Sequence, residues 1–354
     1  KINSSAPFRT FSNEAKTFER IFSKIGVVVN LFHLLVLTRK TMLTSSVNSV
    51  MIGIAVCDLM SMLNVIRAEY LTMDPMGAEC TPPPSLFRLY IDWFLSSFHN
   101  GLRRCSAWLG MSIAIIRYLV VSDILNSSNR FVKPGFGLSL FLNAFAISAI
   151  FSICYFAQFH YAQISTWYPA QTCTGYLANR SEPIYSKECN GIFEVHEGLY
   201  HRILLLAEGV LGKVLPCAIL PVFTVLLLLK MSSKKEHRTI VVDLQTNNRK
   251  SRKHSKDRIS VIVIFLAITF LLSELPLGVT YIIDGIEHNN GDVQRISRIV
   301  ETVCNTIFIA NASIHCLICL SISSLYWKTV LGFFPKFRTI KLQKRQTTLF
   351  SKFT

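Results

Sequence analysis

The chain has 354 residues, 51% hydrophobic and only 16% charged, with 37 Lys+Arg against 21 Asp+Glu, a formal charge of +16 and a mean hydropathy of +0.39. A soluble chain carries about 25% charged residues, so this composition excludes a soluble enzyme, a disordered tail protein and a disulfide-stapled secreted domain. It also excludes a nucleic-acid binder, because so basic a soluble domain would not be this hydrophobic.

Crossing a hydrocarbon core about 30 Å thick takes about 20 mainly apolar residues, and seven such runs follow one another. The first is Phe18 to Leu37, its start interrupted by Glu19, Arg20 and Lys24. The second is Val47 to Ile66. The third, Leu89 to Val121, is the most polar and holds Asp92, His99, Asn100, Arg103 and Arg104. The fourth (Phe136 to Phe159), fifth (Ile203 to Leu229) and sixth (Ile259 to Ile283) are nearly uncharged through their centres, and the seventh is Ile299 to Leu320. The expected fold is an all-α membrane protein, a seven-helix bundle over 18–327 between an outer segment, 1–17, and a cytoplasmic tail, 328–354. Beyond Trp327, Leu331, Phe333, Phe334 and Phe337 with interleaved lysines predict a short amphipathic helix on the membrane surface.

Charge sets the orientation. Lys230 to Arg258 holds ten Lys/Arg and Lys328 to the C-terminus seven, against only Glu236, Asp243 and Asp257. Cytoplasmic loops collect Lys and Arg, so both stretches lie inside and the N-terminus outside. Asn3 and Asn179 then head sequons on the outer side, where glycosylation is expected, whereas Asn126 and Asn311 do not. The chain opens at Lys1 rather than Met, so its natural start is expected upstream, and no apolar signal core precedes the first span.

Seven of ten cysteines fall in the spans, where a free thiol packs as a small apolar group. Cys80, Cys173 and Cys189 lie outside, where oxidation is permitted. A bridge between Cys80 and Cys173 would tie the loop before the third span to the long loop before the fifth. The alternative, Cys173 to Cys189, would close only a local ring. No internal repeat, phosphate-binding glycine loop, His-Glu-x-x-His pair or Gly-x-Ser-x-Gly elbow occurs, so no enzyme activity and no cofactor are expected.

Motifs in register carry a resemblance. The first span has Gly26-Val-Val-Val-Asn30, the second Ala55-Val-Cys-Asp58-Leu, and the third Trp108-Leu-Gly-Met-Ser-Ile-Ala-Ile-Ile-Arg117-Tyr118. The fifth has Pro216 and Pro221, the sixth Ser273-Glu-Leu-Pro276, and the seventh Asn311-Ala-Ser313-Ile-His315-Cys316 running on to Trp327. From Phe18 to Trp327 the chain resembles the nematode serpentine receptor class W, rhodopsin-like G-protein-coupled receptors similar to FMRFamide and myosuppressin peptide receptors. Two departures stand out. Ile116 occupies the place of the acid that usually precedes the arginine, and His315-Cys316-Leu-Ile-Cys319 replaces the usual Asn-Pro-x-x-Tyr.

The resemblance implies a multi-pass plasma-membrane receptor for a short neuropeptide, or alternatively for small environmental molecules, that couples to a heterotrimeric G protein. A transporter or channel is a remote alternative. Arg117 and Tyr118 would meet the G protein, and Pro276 would be the pivot of the sixth helix. Asp58 would form a polar network with Asn30, Asn311 and Ser313, with a possible sodium ion at Asp58. The bland reading of Arg117 is a positive-inside arginine that snorkels to the interface, and that of Asp58 a structural hydrogen-bonded group.

The residues themselves single out Arg103 and Arg104. They precede Arg117 by 14 and 13 positions, which at 1.5 Å per residue places them about 20 Å above it, in the outer third of the membrane. Lipid would not accept them there, so at least one must face the interior. Glu274 is the nearest counter-charge by depth, with Glu208 and Lys213 as further candidates, and the five would form either a charged floor for a ligand or structural ion pairs. Glu182, Glu188, Glu194 and Glu197 outnumber Arg180 and Lys187 in the long outer loop, an acidic vestibule toward a basic peptide or an ordinary solvated loop. The basic stretch before the sixth span suits anionic inner-leaflet lipid.

Overall fold

The computed structural model describes residues 5–72, 80–122, 129–170, 173, 180–241, 249–287 and 290–333. Seven of its helices contain stretches long and apolar enough to cross a membrane. They are α1 (Ser5–Leu37), α2 (Ser46–Thr72), α3 (Leu86–Ser122), α5 (Pro134–Ala157), the continuous run of α6 (Gly191–Ala207), a π-helical segment (Glu208–Val214) and α7 (Leu215–Val241), then α8 (Arg249–Ile286) and α9 (Gly291–Ile322). A four-residue turn, α4 (Asn129–Val132), precedes α5, and α10 (Ser324–Phe333) follows α9.

The helices form because each backbone polar group in hydrocarbon must be satisfied within its own segment. Large apolar side chains such as Val28, Ile153 and Leu229 are more than half exposed. In water they would be an aggregation liability, whereas lipid is as apolar as they are. The ends follow local chemistry. Pro134 opens α5, where its missing N–H costs nothing. Asn290 caps α9 by accepting from the Asp292 and Val293 amides at 3.1 and 3.3 Å.

Helix α3 is the axis of the bundle and packs on α2, α5, α7 and the π-helical segment, while α1 lies against α2 and α9. Val50, Ile54, Cys57, Leu102, Cys105, Leu109 and Ile116 make one buried cluster between α2 and α3. Ile116 is therefore a packed core residue.

The helices run longer than the apolar runs that define them. Helix α1 begins at Ser5, so most of the segment expected to precede the bundle is helical. Helix α5 ends at Ala157, two residues before the expected Phe159, because the chain there turns into a hairpin. The outer loop holds two antiparallel strands, β1 (Phe159–Trp167) and β2 (Glu182–Cys189), with Phe159 opposite Cys189 and an irregularity between Gln163 and Ser165. The aromatic and β-branched residues of β1 favour a strand. Lys187 of β2 lies 2.9 Å from the Trp93 ring centroid and 4.0 Å from that of Phe159, which fastens the hairpin to the outer end of α3.

Cys80 and Cys173 form the disulfide, with their Cα atoms 5.5 Å apart, and Cys189 is free. Helix α10 begins at Ser324, before Trp327 rather than after it, and buries Tyr326 and Val330. Asn3, Asn179, Phe334 and Phe337 lie outside the described residues.

Candidate functional site

The charges of the third span find partners inside the bundle. Arg103 Nε donates to Glu274 Oε1 of α8 at 2.7 Å, and Lys213 Nζ, from the π-helical segment, donates to Glu274 Oε2 at 2.6 Å. Side-chain exposure is 3% for Arg103, 2% for Lys213 and 0% for Glu274. One carboxylate thus joins three segments, with both oxygens taken by cations. The remaining Arg103 nitrogens donate to the Ser273 carbonyl at 3.1 Å and to the Asn305 side chain of α9, and its guanidinium lies 4.9 Å from the Phe308 ring centroid.

Arg104 points the other way, as adjacent helical residues about 100° apart must. Its Nη2 lies 2.5 Å from Glu208 Oε2, Nε donates to Glu208 Oε1 at 3.0 Å, and Nη1 donates to the Ser148 carbonyl of α5 at 2.8 Å. Both arginines are therefore interior, and Glu208 belongs to Arg104 while Lys213 shares Glu274.

Two glycines permit this approach. A Cβ at Gly209 would stand 2.8 Å from the Gly278 carbonyl oxygen, and one at Gly278 would stand 2.8 Å from Lys213 Cβ. With neither present, α8 and the π-helical segment come close enough for Lys213 to reach Glu274. Pro276, two residues beyond Glu274, lies inside α8 and leaves that helix without one backbone bond.

A second polar layer lies deeper. Asp58 is fully buried, accepting from Ser106 Oγ at 3.1 Å and facing His315 Nδ1 at 3.0 Å. This corrects the expected network. Asn30 donates instead to the Gly26 and Ala312 carbonyls at 3.0 and 3.2 Å, Asn311 accepts from Thr269 Oγ1 at 2.9 Å, and Ser313 donates to the Ile309 carbonyl at 2.8 Å. Asn30 also reaches Met62 Sδ of α2 at 3.6 Å, and the Asp58 carboxylate is met instead by Ser106 and His315. Among the described residues, no group of three His, Cys, Asp or Glu could hold a metal ion.

Toward the inner side, a cavity with about 240 Å³ of water-accessible space runs from Ser106 and His315 down to Arg117, with Thr224 and Cys319 on its walls. Among the described residues no acid pairs with Arg117. Tyr118 packs edge-on against Phe223, ring centroids 5.5 Å apart. Tyr326 of α10 is fully buried and stands 2.7 Å from His33 Nδ1 and 3.4 Å from Cys316 Sγ. An aromatic hydroxyl from α10 therefore reaches the base of α9, which itself lacks the tyrosine usual there.

The acidic loop is partly self-compensated. Glu182 pairs with Arg180 at 3.2 Å and Glu188 lies 3.9 Å from His160, while Glu194 sits in the first turn of α6.

The family described as serpentine type 7TM GPCR chemoreceptor Srw matches residues 17–336. Among curated proteins, the chain is similar to the G-protein coupled receptor dmsr-1 of Caenorhabditis elegans, 21% identical over 330 residues. That similarity covers 82% of this chain and 64% of the relative, so the chain spans just under two thirds of its length.

Proposed function

The chain belongs to the serpentine seven-transmembrane Srw family of G-protein-coupled receptors, and from that premise we propose that it binds a short neuropeptide in the outer half of the bundle and passes the signal to a heterotrimeric G protein. It is a multi-pass plasma-membrane protein, not an enzyme.

The observation that carries the reading is Glu274, held by Arg103 from one side and Lys213 from the other. A carboxylate that joins three segments serves here as a bistable element, because a ligand that draws one cation away changes which segments remain tied. Burial makes each arrangement distinct, since an ion left unpaired there is costly. The ligand shifts the population toward an outward α8 pivoting at Pro276, which widens the inner cavity floored by Arg117 and Tyr118. Asp58, with Ser106 and His315, Asn30, and Asn311 and Ser313 of α9 hold the layer between the two ends. Resemblance to FMRFamide and myosuppressin receptors and the acids of the outer loop favour a basic peptide. The basic segment entering α8 suits contact with anionic inner-leaflet lipid.

The family's own description as chemoreceptors favours a second reading, a receptor for small environmental molecules. Cells expressing the receptor, challenged in parallel with amidated peptides and with small volatiles and read by G-protein activation, separate the two. Response to a peptide supports the first, and response to volatiles alone replaces it with the second.

A further inference from the structure

Outward of the Arg103, Lys213 and Glu274 cluster, α3, α8 and α9 each carry a further polar side chain on the face that builds it. On α3 this is His99, four residues before Arg103, and on α8 it is Tyr281, seven after Glu274. On α9, Asn305 and Phe308 meet Arg103, so Glu301, four residues before Asn305, shares their face one turn outward. Helix α1 adds Glu19. Ala15 and Phe22, four residues before it and three after, accept from Thr306 and Ser313 of α9 at 3.2 and 3.3 Å, so Glu19 stands on the face of α1 that packs on α9. Helical side chains lean toward the N-terminus of their helix, which carries both carboxylates outward.

Neither acid is neutralised. The buried charges below them, Arg103, Arg104, Glu208, Lys213 and Glu274, are all paired. Glu19 and Glu301 are partly buried within spans, where an unpaired carboxylate is costly, yet among the described residues neither has an ion pair or a hydrogen-bond partner. Arg103 is the cation that acts most strongly on both, but its donors are committed to Glu274, Ser273 and Asn305. The two acids also repel one another, which a purely structural role would avoid. His99 is an independent sign. Its Nδ1 is buried and has no partner among the described residues, although the ring lies in the field of Arg103, Lys213 and Glu274. A buried polar atom that the protein leaves unsatisfied marks where a hydrogen-bonding group of a ligand belongs. Tyr281, and Tyr155 of α5, lie in the field of Glu301 and bring two aromatic rings near the same carboxylate.

We propose that Glu301 and Glu19 bind a guanidinium group of the ligand, with the tyrosine rings flanking it and the His99 nitrogen meeting a polar group beside it. The proposal deepens the reading that the ligand enters the outer half of the bundle, and rests on it. Two carboxylates offered from different helices suit the flat, forked donors of a guanidinium better than the point charge of an ammonium. Aromatic faces nearby suit the same group.

The test uses the purified full receptor and thermal melting, with N-acetyl-arginyl-phenylalanine amide, whose only charge is the guanidinium, against its neutral citrulline counterpart. The concentration dependence of stabilisation gives a Kd for each probe. The arginine probe is expected to bind roughly tenfold more tightly than the citrulline probe, and Glu301→Gln or Glu19→Gln to reduce that preference to roughly twofold. Because both acids are unpaired, neither substitution lowers the melting temperature of the empty receptor, in contrast to Glu274→Gln, so a lost preference is not lost folding. No stabilisation of the native receptor by either probe, equal stabilisation by both, a preference unchanged in the two variants, or a lowered melting temperature in both overturns the proposal. Binding is read without a G protein. A receptor that prefers the arginine probe yet is silent to every amidated peptide keeps the guanidinium site and loses the neuropeptide reading, whereas peptide activation without that preference loses the site alone.

Discussion

Arg103 of α3 and Glu274 of α8 meet at 2.7 Å across the centre of the bundle, 171 residues apart in sequence and each almost fully buried. Lys213 occupies the other oxygen of the same carboxylate, so the three residues are not equivalent. Glu274→Gln strands two buried cations and is expected to lower stability by about 3–5 kcal/mol, the cost of breaking a buried pair. Lys213→Met leaves Glu274 paired with Arg103 and exchanges an ammonium for an apolar chain, at a cost within about 1 kcal/mol. Thermal melting of the purified variants checks the order, and a Lys213→Met as damaging as Glu274→Gln refutes the assignment.

The opposite directions of Arg103 and Arg104 make two separable units. A double-mutant cycle of Arg104→Ala with Glu208→Gln is expected to return a coupling of about 1–3 kcal/mol. The cycle of Arg104→Ala with Glu274→Gln is expected to give a clearly smaller one. Equal couplings would mean one shared network.

With Ser106 and His315 on its two oxygens, Asp58 has less room for a cation than the resemblance implies. Replacing sodium by potassium is expected to leave the melting temperature of the native receptor unchanged. His315→Ala frees Oδ2 and is expected to introduce sodium-dependent stabilisation. A sodium-sensitive native receptor would restore the ion site.

Restoring the acid before Arg117 is not expected to restore a resting lock. Ile116 is 3% exposed within the cluster of Val50, Ile54 and Leu109, so Ile116→Asp places a carboxylate among hydrocarbon, where an unpaired charge is costly. Reduced surface expression is the expected result. Normal expression with lowered basal signalling would show that the side chain reaches Arg117 after all.

Much of this was legible in sequence because the bilayer makes its demands one residue at a time. Twenty apolar residues announce a span, and Arg103 and Arg104 inside one announce an interior partner, which depth narrows to Glu274. The Cys80 to Cys173 bridge is the pairing that ties two distant loops, whereas Cys173 to Cys189 would close only a local ring. What stayed hidden depended on side-chain direction. Whether Asn30 turns to Asp58 or to the Gly26 carbonyl is a matter of rotamer, which spacing does not encode. Ser106 and His315 carried one weak signal, polar residues in apolar spans at the depth of Asp58. The hairpin is poorly marked because β1 reads Phe-His-Tyr-Ala-Gln-Ile-Ser-Thr-Trp, with no strict alternation of apolar and polar residues, and Tyr326 because a tyrosine near Trp327 reads as an interfacial anchor.

The most direct test of the central claim is agonist-driven nucleotide exchange on membranes containing the native receptor or Glu274→Gln at matched surface expression, across a library of amidated peptides. The account predicts that at least one peptide stimulates the native receptor and is at least tenfold less potent on Glu274→Gln. A receptor silent to every peptide, or one activated with equal potency in both forms, contradicts it.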